Sequence, residues 1–127
     1  MVPTSLEKSS INGFGIFAPE NIPARKLVWE FSPEFDVEFE PDQLALFPLP
    51  AREFILHYGN LTEPSGRSKL KGVYLLCGDN ARFMNHSNHP NISAGTDQNC
   101  ALRDIIAGEE LTCDYREFDL AFKIFEG

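Results

Sequence analysis

The clearest periodic pattern in the chain is a strict alternation of polar and apolar residues over Glu34–Glu40, EFDVEFE. A strand with this period of two turns successive side chains to opposite faces of a sheet. We therefore predict a half-buried strand with an acidic outer edge. Its inner face would hold Phe35, Val37 and Phe39, and its outer face Glu34, Asp36, Glu38 and Glu40.

Shorter apolar runs predict further strands. Lys26–Phe31 (KLVWEF) and Val73–Cys77 (VYLLC) each have the length and composition of a strand. The GFG sequence within Ile11–Ala18 indicates two short strands that meet at a glycine turn. Cys100–Tyr115 has the pattern of a strand, a turn at Ala107-Gly108 and a second strand.

Helical patterns are confined to the middle and the end of the chain. Asp42 is predicted to cap one or two helical turns in DQLALF, and Ala51–Tyr58 is predicted to be a second helix. Glu63–Gly72 contains turn formers and basic residues, so we expect a loop there. The tail carries the apolar stripe of an amphipathic helix, with Phe118, Phe122 and Phe125 at i, i+4 and i+7. The expected class is mostly β with minor α content.

Composition indicates one globular domain without a nucleic-acid partner. The chain has 127 residues, of which 43% are hydrophobic and eleven are phenylalanine, enough for one core. The formal net charge of −8 argues against binding a phosphate backbone, which requires clustered Lys and Arg. Negative potential would instead attract a basic partner.

The three cysteines, Cys77, Cys100 and Cys113, include no CxxC pair. An odd number without metal-binding spacing argues against a disulfide framework and supports zinc only weakly. We expect buried, reduced thiols and hence an intracellular chain. Neither a secretory signal pattern nor an apolar run long enough to span a bilayer is visible. A cytoplasmic location without a membrane partner is therefore expected.

The most polar cluster of the chain is RFMNHSNHPN, residues 82–91. His86 could bind a metal, but no acidic third ligand is near it in sequence, and Pro90 would keep His86 and His89 off one helical face. Asparagine also favours tight turns, because its side chain bonds the local backbone. Alone, this stretch is compatible with a metal site, a catalytic cluster or a polar turn.

Two further elements are weak when each is taken alone. The GFG of residues 13–15 allows close approach of the backbone to a ligand, but it lacks the third glycine and the following helix of a dinucleotide-binding motif. GEELTCDY, residues 108–115, ends in Tyr115, whose hydroxyl could reach a site. A lone tyrosine is, however, usually a core residue with a satisfied hydroxyl.

Taken together, these elements resemble the SET-domain family of protein lysine methyltransferases. The order is GFG, VWEF, a variable insert, NARFMNHSNHPN and LRDIIAGEELTCDY, over about residues 8–118. The resemblance implies a single SET domain over residues 1–127, with an insert at about 41–71 and a tail at about 116–127. It implies a β-clip-like fold of small sheets in which the C-terminal segment forms a pseudoknot beside NHS, an exception to the rule against threaded chains.

The resemblance also implies a set of site residues. The methyl donor would be S-adenosylmethionine, bound by Gly13, Phe14, Gly15, Arg82, Phe83, Asn85, His86 and Phe118. Tyr115 matches the catalytic tyrosine at the base of a channel that admits the substrate lysine. Phe31, Tyr74 and Cys113 are expected along that channel. In-line attack of a neutral amine on a methyl group needs mainly alignment, which agrees with the weak metal signal.

Several residues depart from the family's common pattern. The tail has no cysteine after DY, and Asn88 stands in the cysteine position of NHSCxPN, so we expect no zinc. The Phe118 stripe would either close the site or pack on the core. Phe31 stands where many members have tyrosine, and Cys113 where some have phenylalanine or tyrosine, which leaves the number of transferred methyl groups open.

The predicted function is methyl transfer from S-adenosylmethionine to the lysine amine of a protein or basic peptide. The acidic edge could attract such a peptide or could be a plain solvated face. The alternative is a SET-like protein-binding module that retains the donor site without turnover. A homodimer or a larger partner could complete the site.

Overall fold

A computed structural model describes residues 1–62, 73–94 and 97–117. Within these ranges the chain forms nine short strands and two α-helices. The strands are β1 (Ser5–Lys8), β2 (Phe14–Phe17), β3 (Leu27–Glu30), β4 (Val37–Phe39), β5 (Asn60–Thr62), β6 (Val73–Leu76), β7 (Asn85–His86), β8 (Gln98–Cys100) and β9 (Thr112–Cys113). The helices are α1 (Pro41–Leu44) and α2 (Leu49–Tyr58), and 3-10 turns cover Asn80–Phe83 and Tyr115–Glu117.

The strands build several small sheets instead of one large sheet. β1 pairs with β2, β3 pairs with β8, and β6 lies between β4 and β5, all antiparallel. β7 and β9 form a parallel pair. The expected class, mostly β with minor α content, is confirmed. No helix in the described ranges is long and apolar enough to cross a membrane.

Several predicted elements occur where the pattern places them. β3 and β6 lie within the two predicted strands, and α2 contains the whole predicted helix and begins two residues earlier. α1 is present, but its N-cap is Glu40, whose N–H donates to Oε1 of Gln43 at 2.7 Å. Asp42 lies in the first turn and is not the cap, so that prediction is wrong.

The glycine turn is present, although its first strand lies earlier than predicted. Residues 9–13 form the turn, closed by the Ser9 N–H on the Gly13 carbonyl at 2.8 Å. Gly13 has a φ of 46°, in the left-handed region that glycine adopts without a Cβ clash. The partner of β2 is β1, whose SLEK sequence has too little apolar alternation to indicate a strand.

The predicted orientation of Glu34–Glu40 is wrong. Phe35 and Val37 are 57% and 47% exposed, whereas Asp36 is only 4% exposed. The reason is a turn from Ser32, in which the Asp36 carboxylate accepts the Ser32 N–H at 2.8 Å and the Gly78 N–H at 2.9 Å. Two backbone donors thus draw this carboxylate inward, and the acidic edge is broken at its second member.

The segment 100–115 is not a simple hairpin. Its predicted turn is present, and Gly108 has a φ of 97°. The strands on either side pair elsewhere, β8 with β3 and β9 with β7, and single bridges join Ile105 to Ile22 and Glu110 to Phe17. The turn therefore connects two different sheets.

The main core lies between these sheets. Its buried residues come from most parts of the described chain: Ile16, Ala18, Ile22, Val28, Met84, Ile92, Ala101, Ile105, Leu111 and Cys113. A smaller cluster joins Trp29, Leu75 and Cys77, with Phe31 packed against it. All three cysteines are free thiols, and Cys77 and Cys113 are buried as expected, while Cys100 is half-buried.

Replacing Asp36 with alanine should destabilise the fold, because two backbone N–H groups lose their acceptor. We expect the free energy of unfolding to fall by about 2 kcal/mol, measured by urea denaturation. Glu34→Ala is the matched control, since this carboxylate is exposed and accepts only the Ser32 hydroxyl among the bonds of the described residues. Equal stability of the two variants would contradict a structural role for Asp36.

Candidate functional site

One cavity of about 490 Å³ collects most of the predicted site residues. Four segments line it: the turn before β2, the end of α2, residues 82–86 and Tyr115. Seven residues expected in donor binding or catalysis are among its walls: Gly13, Phe14, Arg82, Phe83, Asn85, His86 and Tyr115. The volume lies in the usual range for pockets that bind small molecules.

The other predicted residues lie elsewhere. Gly15 is next to the cavity wall but does not line it. Phe31 packs against the Trp29 cluster, and Tyr74 is half-buried on β6 opposite Phe39 and Leu61. Cys113 is 4% exposed in the main core. Phe118 lies outside the described residues.

The buried position of Cys113 has a chemical consequence. Burial raises the pKa of its thiol to about 12, with smaller contributions from Asp114 and Glu117. The thiol is therefore protonated at neutral pH and packs as an apolar group. None of the three residues expected along a lysine channel lines the cavity.

The parallel pair β7–β9 brings the two polar motifs together. Asn85 lies opposite Thr112, and His86 lies opposite Cys113. Asn91 extends this pairing with its side chain, which donates to the Glu110 carbonyl at 2.8 Å and accepts the Thr112 N–H at 2.9 Å. Asn91 is 3% exposed, so this residue of the polar cluster has a structural role.

Tyr115 is held at the cavity by two contacts with the polar cluster. Its backbone N–H donates to Nδ1 of His86 at 3.0 Å, and its hydroxyl donates to the carbonyl of Met84. The ring centroids of Tyr115 and His86 are 5.5 Å apart. The hydroxyl therefore has a defined position at the cavity wall.

These contacts indicate the tautomer of the His86 imidazole. Because Nδ1 accepts a hydrogen bond, the imidazole carries its proton on Nε2, which then donates to Oδ1 of Asn88 at 2.9 Å. Both ring nitrogens are thus engaged within the chain. Asn88, which stands in the cysteine position of the NHSCxPN pattern, is thus the partner of His86.

Asn85 joins the polar cluster to the glycine turn. Its side chain is nearly buried, and Nδ2 lies 3.2 Å from the carbonyl oxygens of both Asn12 and Phe14. The turn and the NHS segment are therefore bonded to each other across 71 to 73 residues of sequence.

Sequence reasoning missed the wall that α2 contributes. His57 and Tyr58 line the cavity, and the Tyr58 ring lies 5.3 Å from Phe83 and 4.8 Å from Phe54, centroid to centroid. Arg82 places its guanidinium 5.4 Å from the Phe54 ring centroid. The i, i+4 spacing of Phe54 and Tyr58 was the available signal, because such a pair shares one helical face.

The two residues that flank Tyr115 in the chain, Asp114 and Arg116, form an ion pair. The Asp114 carboxylate accepts two bonds from the Arg116 side chain, at 2.9 Å to Nε and 2.7 Å to Nη2. Hydrogen bonding to Arg116 lowers the pKa of Asp114 to about 2, against an opposing effect of burial, which raises it. Among the described residues no group of three or more His, Cys, Asp or Glu side chains could hold a metal ion.

Replacing Arg116 with glutamine should raise the pKa of Asp114 toward the ordinary value of an aspartate carboxyl, 3.8. The folded pKa lies below the unfolded one, so ionised Asp114 stabilises the native chain above about pH 4, and this is lost as pH falls toward 2. Carboxyl carbon chemical shifts measured by NMR against pH would report the change. Arg103→Gln removes a cation that pairs with Glu109 and should leave the Asp114 titration unchanged; an equal shift there would contradict the assignment.

Solved structures share this fold. A candidate histone methyltransferase of Plasmodium falciparum is 18% identical, with 89% of this chain and 96% of that chain covered and a TM-score of 0.59. A chain of a humanized mutant of the Chaetomium thermophilum Polycomb Repressive Complex 2, bound to an inhibitor, is 24% identical, with 93% and 15% covered and a TM-score of 0.64. An apo form of that complex with two substitutions is 24% identical, with 97% and 16% covered and a TM-score of 0.66. This chain thus spans only a small part of the Polycomb chains.

A family model gives the assignment. The model of the SET domain matches residues 13–116, which is most of the chain. The matched range contains every cavity-lining residue except Ile11 and Asn12, which belong to the turn before β2. No curated protein sequence matches the chain. On the extent of the family match, the chain belongs to the SET-domain family.

Proposed function

We propose that this SET domain transfers a methyl group from S-adenosylmethionine to the side-chain amine of lysine in a protein. The observation that carries this proposal is the shared cavity, which unites the glycine turn, the NHS segment and Tyr115. The similar structures include proteins named as histone methyltransferase and as Polycomb Repressive Complex 2, which supports a protein as the substrate class.

The walls of the cavity suit the chemical parts of the donor. A Cβ atom at Gly13 would meet no other heavy atom of the described residues within 4 Å, so the backbone there is open to a ligand. Phe83 and Tyr58 offer aromatic surface for the adenine ring, and aromatic contacts of this kind are favourable. The Arg82 guanidinium supplies a positive charge near which a carboxylate could bind.

Tyr115 is the residue that we assign to catalysis. Its hydroxyl donates to the Met84 carbonyl, so its oxygen is fixed in direction and can act as an acceptor toward the reacting groups. Such an oxygen aligns the amine by a hydrogen bond and the methyl group by weak C–H···O contacts. The amine must be neutral to attack, and an apolar site lowers its pKa.

The substrate side of the site is a separate part of the proposal. Phe31, Tyr74 and Cys113 do not line the cavity, and the tail with Phe118 lies outside the described residues. Their roles along the channel and in closing the site stay predictions. The formal net charge of −8 still favours a basic peptide, although Asp36 no longer belongs to the charged surface.

The setting of the reaction follows from the same features. We propose a cytoplasmic enzyme with reduced thiols, a lysine-containing protein partner and neither nucleic-acid nor membrane partner. Zinc is not required by this mechanism, because the alignment of two substrates supplies most of the rate enhancement. A homodimer that completes the substrate side also stays a prediction.

Tyr115→Phe should lower methyl transfer by about 100-fold or more, because it removes one preorganised polar contact with the reacting groups. The assay incubates the protein with radiolabelled S-adenosylmethionine and a basic protein mixture and locates the label on lysine. Donor affinity, measured by calorimetry, should change less than about threefold, since the ring and its packing remain.

The comparison variant Tyr74→Phe removes the same atom from β6, at a residue that is predicted for the lysine channel and does not line the cavity. A comparable loss in that variant, with full activity of Tyr115→Phe, would contradict the catalytic assignment. Donor binding by the wild type without labelling of any substrate would instead favour the alternative function, a protein-binding module that retains the donor site.

A further inference from the structure

Glu110 lies behind the cavity wall, and its side chain accepts hydrogen bonds from two of the segments that form this wall. Its carboxylate accepts the Ser9 hydroxyl at 2.7 Å to Oε1 and the Asn85 amide at 2.9 Å to Oε2. Ser9 begins the glycine turn, and Asn85 begins the NHS segment. Glu110 itself is held in place by a bridge to Phe17 at the end of β2. Its side chain does not line the cavity.

The orientation of Asn85 follows from its partners. The carbonyls of Asn12 and Phe14 and the carboxylate of Glu110 are all acceptors. Only the nitrogen of the Asn85 amide can face three acceptors, because the oxygen would be repelled by each of them. The donor capacity of the Asn85 side chain is therefore used within the chain, to hold the turn.

Ser9 connects Glu110 to the glycine turn by hydrogen bonds. Its hydroxyl donates to Glu110 and accepts the backbone N–H of Ile11 at 2.9 Å. Ile11 and Asn12 are cavity residues. A hydrogen bond to a carboxylate is stronger than one between neutral groups, so the charge of Glu110 strengthens a connection that ends at the cavity wall.

Gly15 is explained by Glu110 and not by a ligand. A Cβ atom at Gly15 would lie 2.4 Å from Oε2 of Glu110, closer than any real contact, whereas Gly13 has open space. The two glycines of GFG thus have different tasks. Gly13 adopts a positive φ and faces the cavity, and Gly15 leaves room for the carboxylate.

We propose that Glu110 is a positioning residue that shapes the donor side of the cavity in advance of binding. This inference rests on the proposed function, because it assigns the glycine turn to the methyl donor. By holding Ser9 and Asn85 together, Glu110 keeps residues 9–14 in one conformation, so that less conformational entropy is lost when the donor binds. Glu110 touches no reacting atom and acts only through these two partners.

The first experiment compares Glu110→Ala with Glu109→Ala. Glu109 is the preceding residue, equally half-buried, and pairs with Arg103 on the surface. Calorimetry with S-adenosylmethionine should show a Kd raised about tenfold for Glu110→Ala, the effect of losing one charged hydrogen bond. Glu109→Ala should bind as the wild type does. Glu110→Gln keeps an acceptor for one partner, so its Kd for S-adenosylmethionine should lie between those of Glu110→Ala and Glu109→Ala.

Kinetics separate positioning from general loss of structure. For Glu110→Ala we expect the KM for the donor to rise about tenfold while kcat at saturating donor changes less than twofold, because binding energy then restores the turn. Hydrogen exchange of the Ile11 amide, which bonds to Ser9, should quicken in Glu110→Ala and not in Glu109→Ala. This readout needs no donor.

A double-mutant cycle tests the explanation of Gly15. Gly15→Ala should weaken donor binding in the wild type, because the new methyl group displaces the carboxylate. In the Glu110→Ala background the same change should cost little, since the displaced group is already absent. Full additivity of the two effects would overturn the proposal that they act on one contact.

The outcomes distinguish this inference from the proposed function. If the wild type does not bind S-adenosylmethionine, the proposed function fails, and exchange at Ile11 still decides whether Glu110 holds the turn. If the wild type binds and Glu110→Ala binds equally well with unchanged exchange at Ile11, the positioning role is wrong. Equal loss of donor affinity in Glu109→Ala would also overturn it.

Discussion

The site depends on one short parallel pairing, two residues of β7 beside two residues of β9. It sets His86 next to the strand that leads into Tyr115, although the two motifs are about thirty positions apart in the chain. A pair this short makes few backbone hydrogen bonds, and parallel pairing is slightly weaker per residue than antiparallel pairing. Its stability must therefore come from side chains. Asn91 supplies two hydrogen bonds across the pair, and Cys113 and Met84 anchor it in the main core.

Because the sheets are small, polar side chains determine the positions of the loops between them. In the described chain each sheet has two or three strands, so backbone ladders alone leave the loops between them weakly placed. Buried polar groups need hydrogen-bond partners, and a partner on another loop fixes both loops. The buried Asn85 does this at the glycine turn, together with the half-buried Glu110, and the buried Asp36 does it between Ser32 and Gly78. The loops that form the cavity walls are consequently held in place by hydrogen bonds within the chain.

The insert between β4 and β6 has a part in the same site. α2 ends at Tyr58, whose ring packs against Phe83 beside the NHS segment. Arg82 connects this wall to the smaller cluster, because its Nε donates to the Cys77 carbonyl at 2.9 Å. The insert, which contains none of the family motifs, thus contributes aromatic surface to the cavity.

The sequence by itself determined the family, the mostly β class and most of the cavity-lining residues. Ordered motifs such as NHSxxPN and GEELTxDY are specific because they combine residue types that local packing does not require together. Local patterns also placed β3, β6, α2 and the turn at Gly108 correctly. The alternation in Glu34–Glu40 misled, because hydrophobic periodicity does not register two backbone N–H groups from Ser32 and Gly78 that need a carboxylate. Only the tertiary structure decided that Gly15 makes room for Glu110 and that Cys113 belongs to the core, because both depend on contacts between segments far apart in the chain.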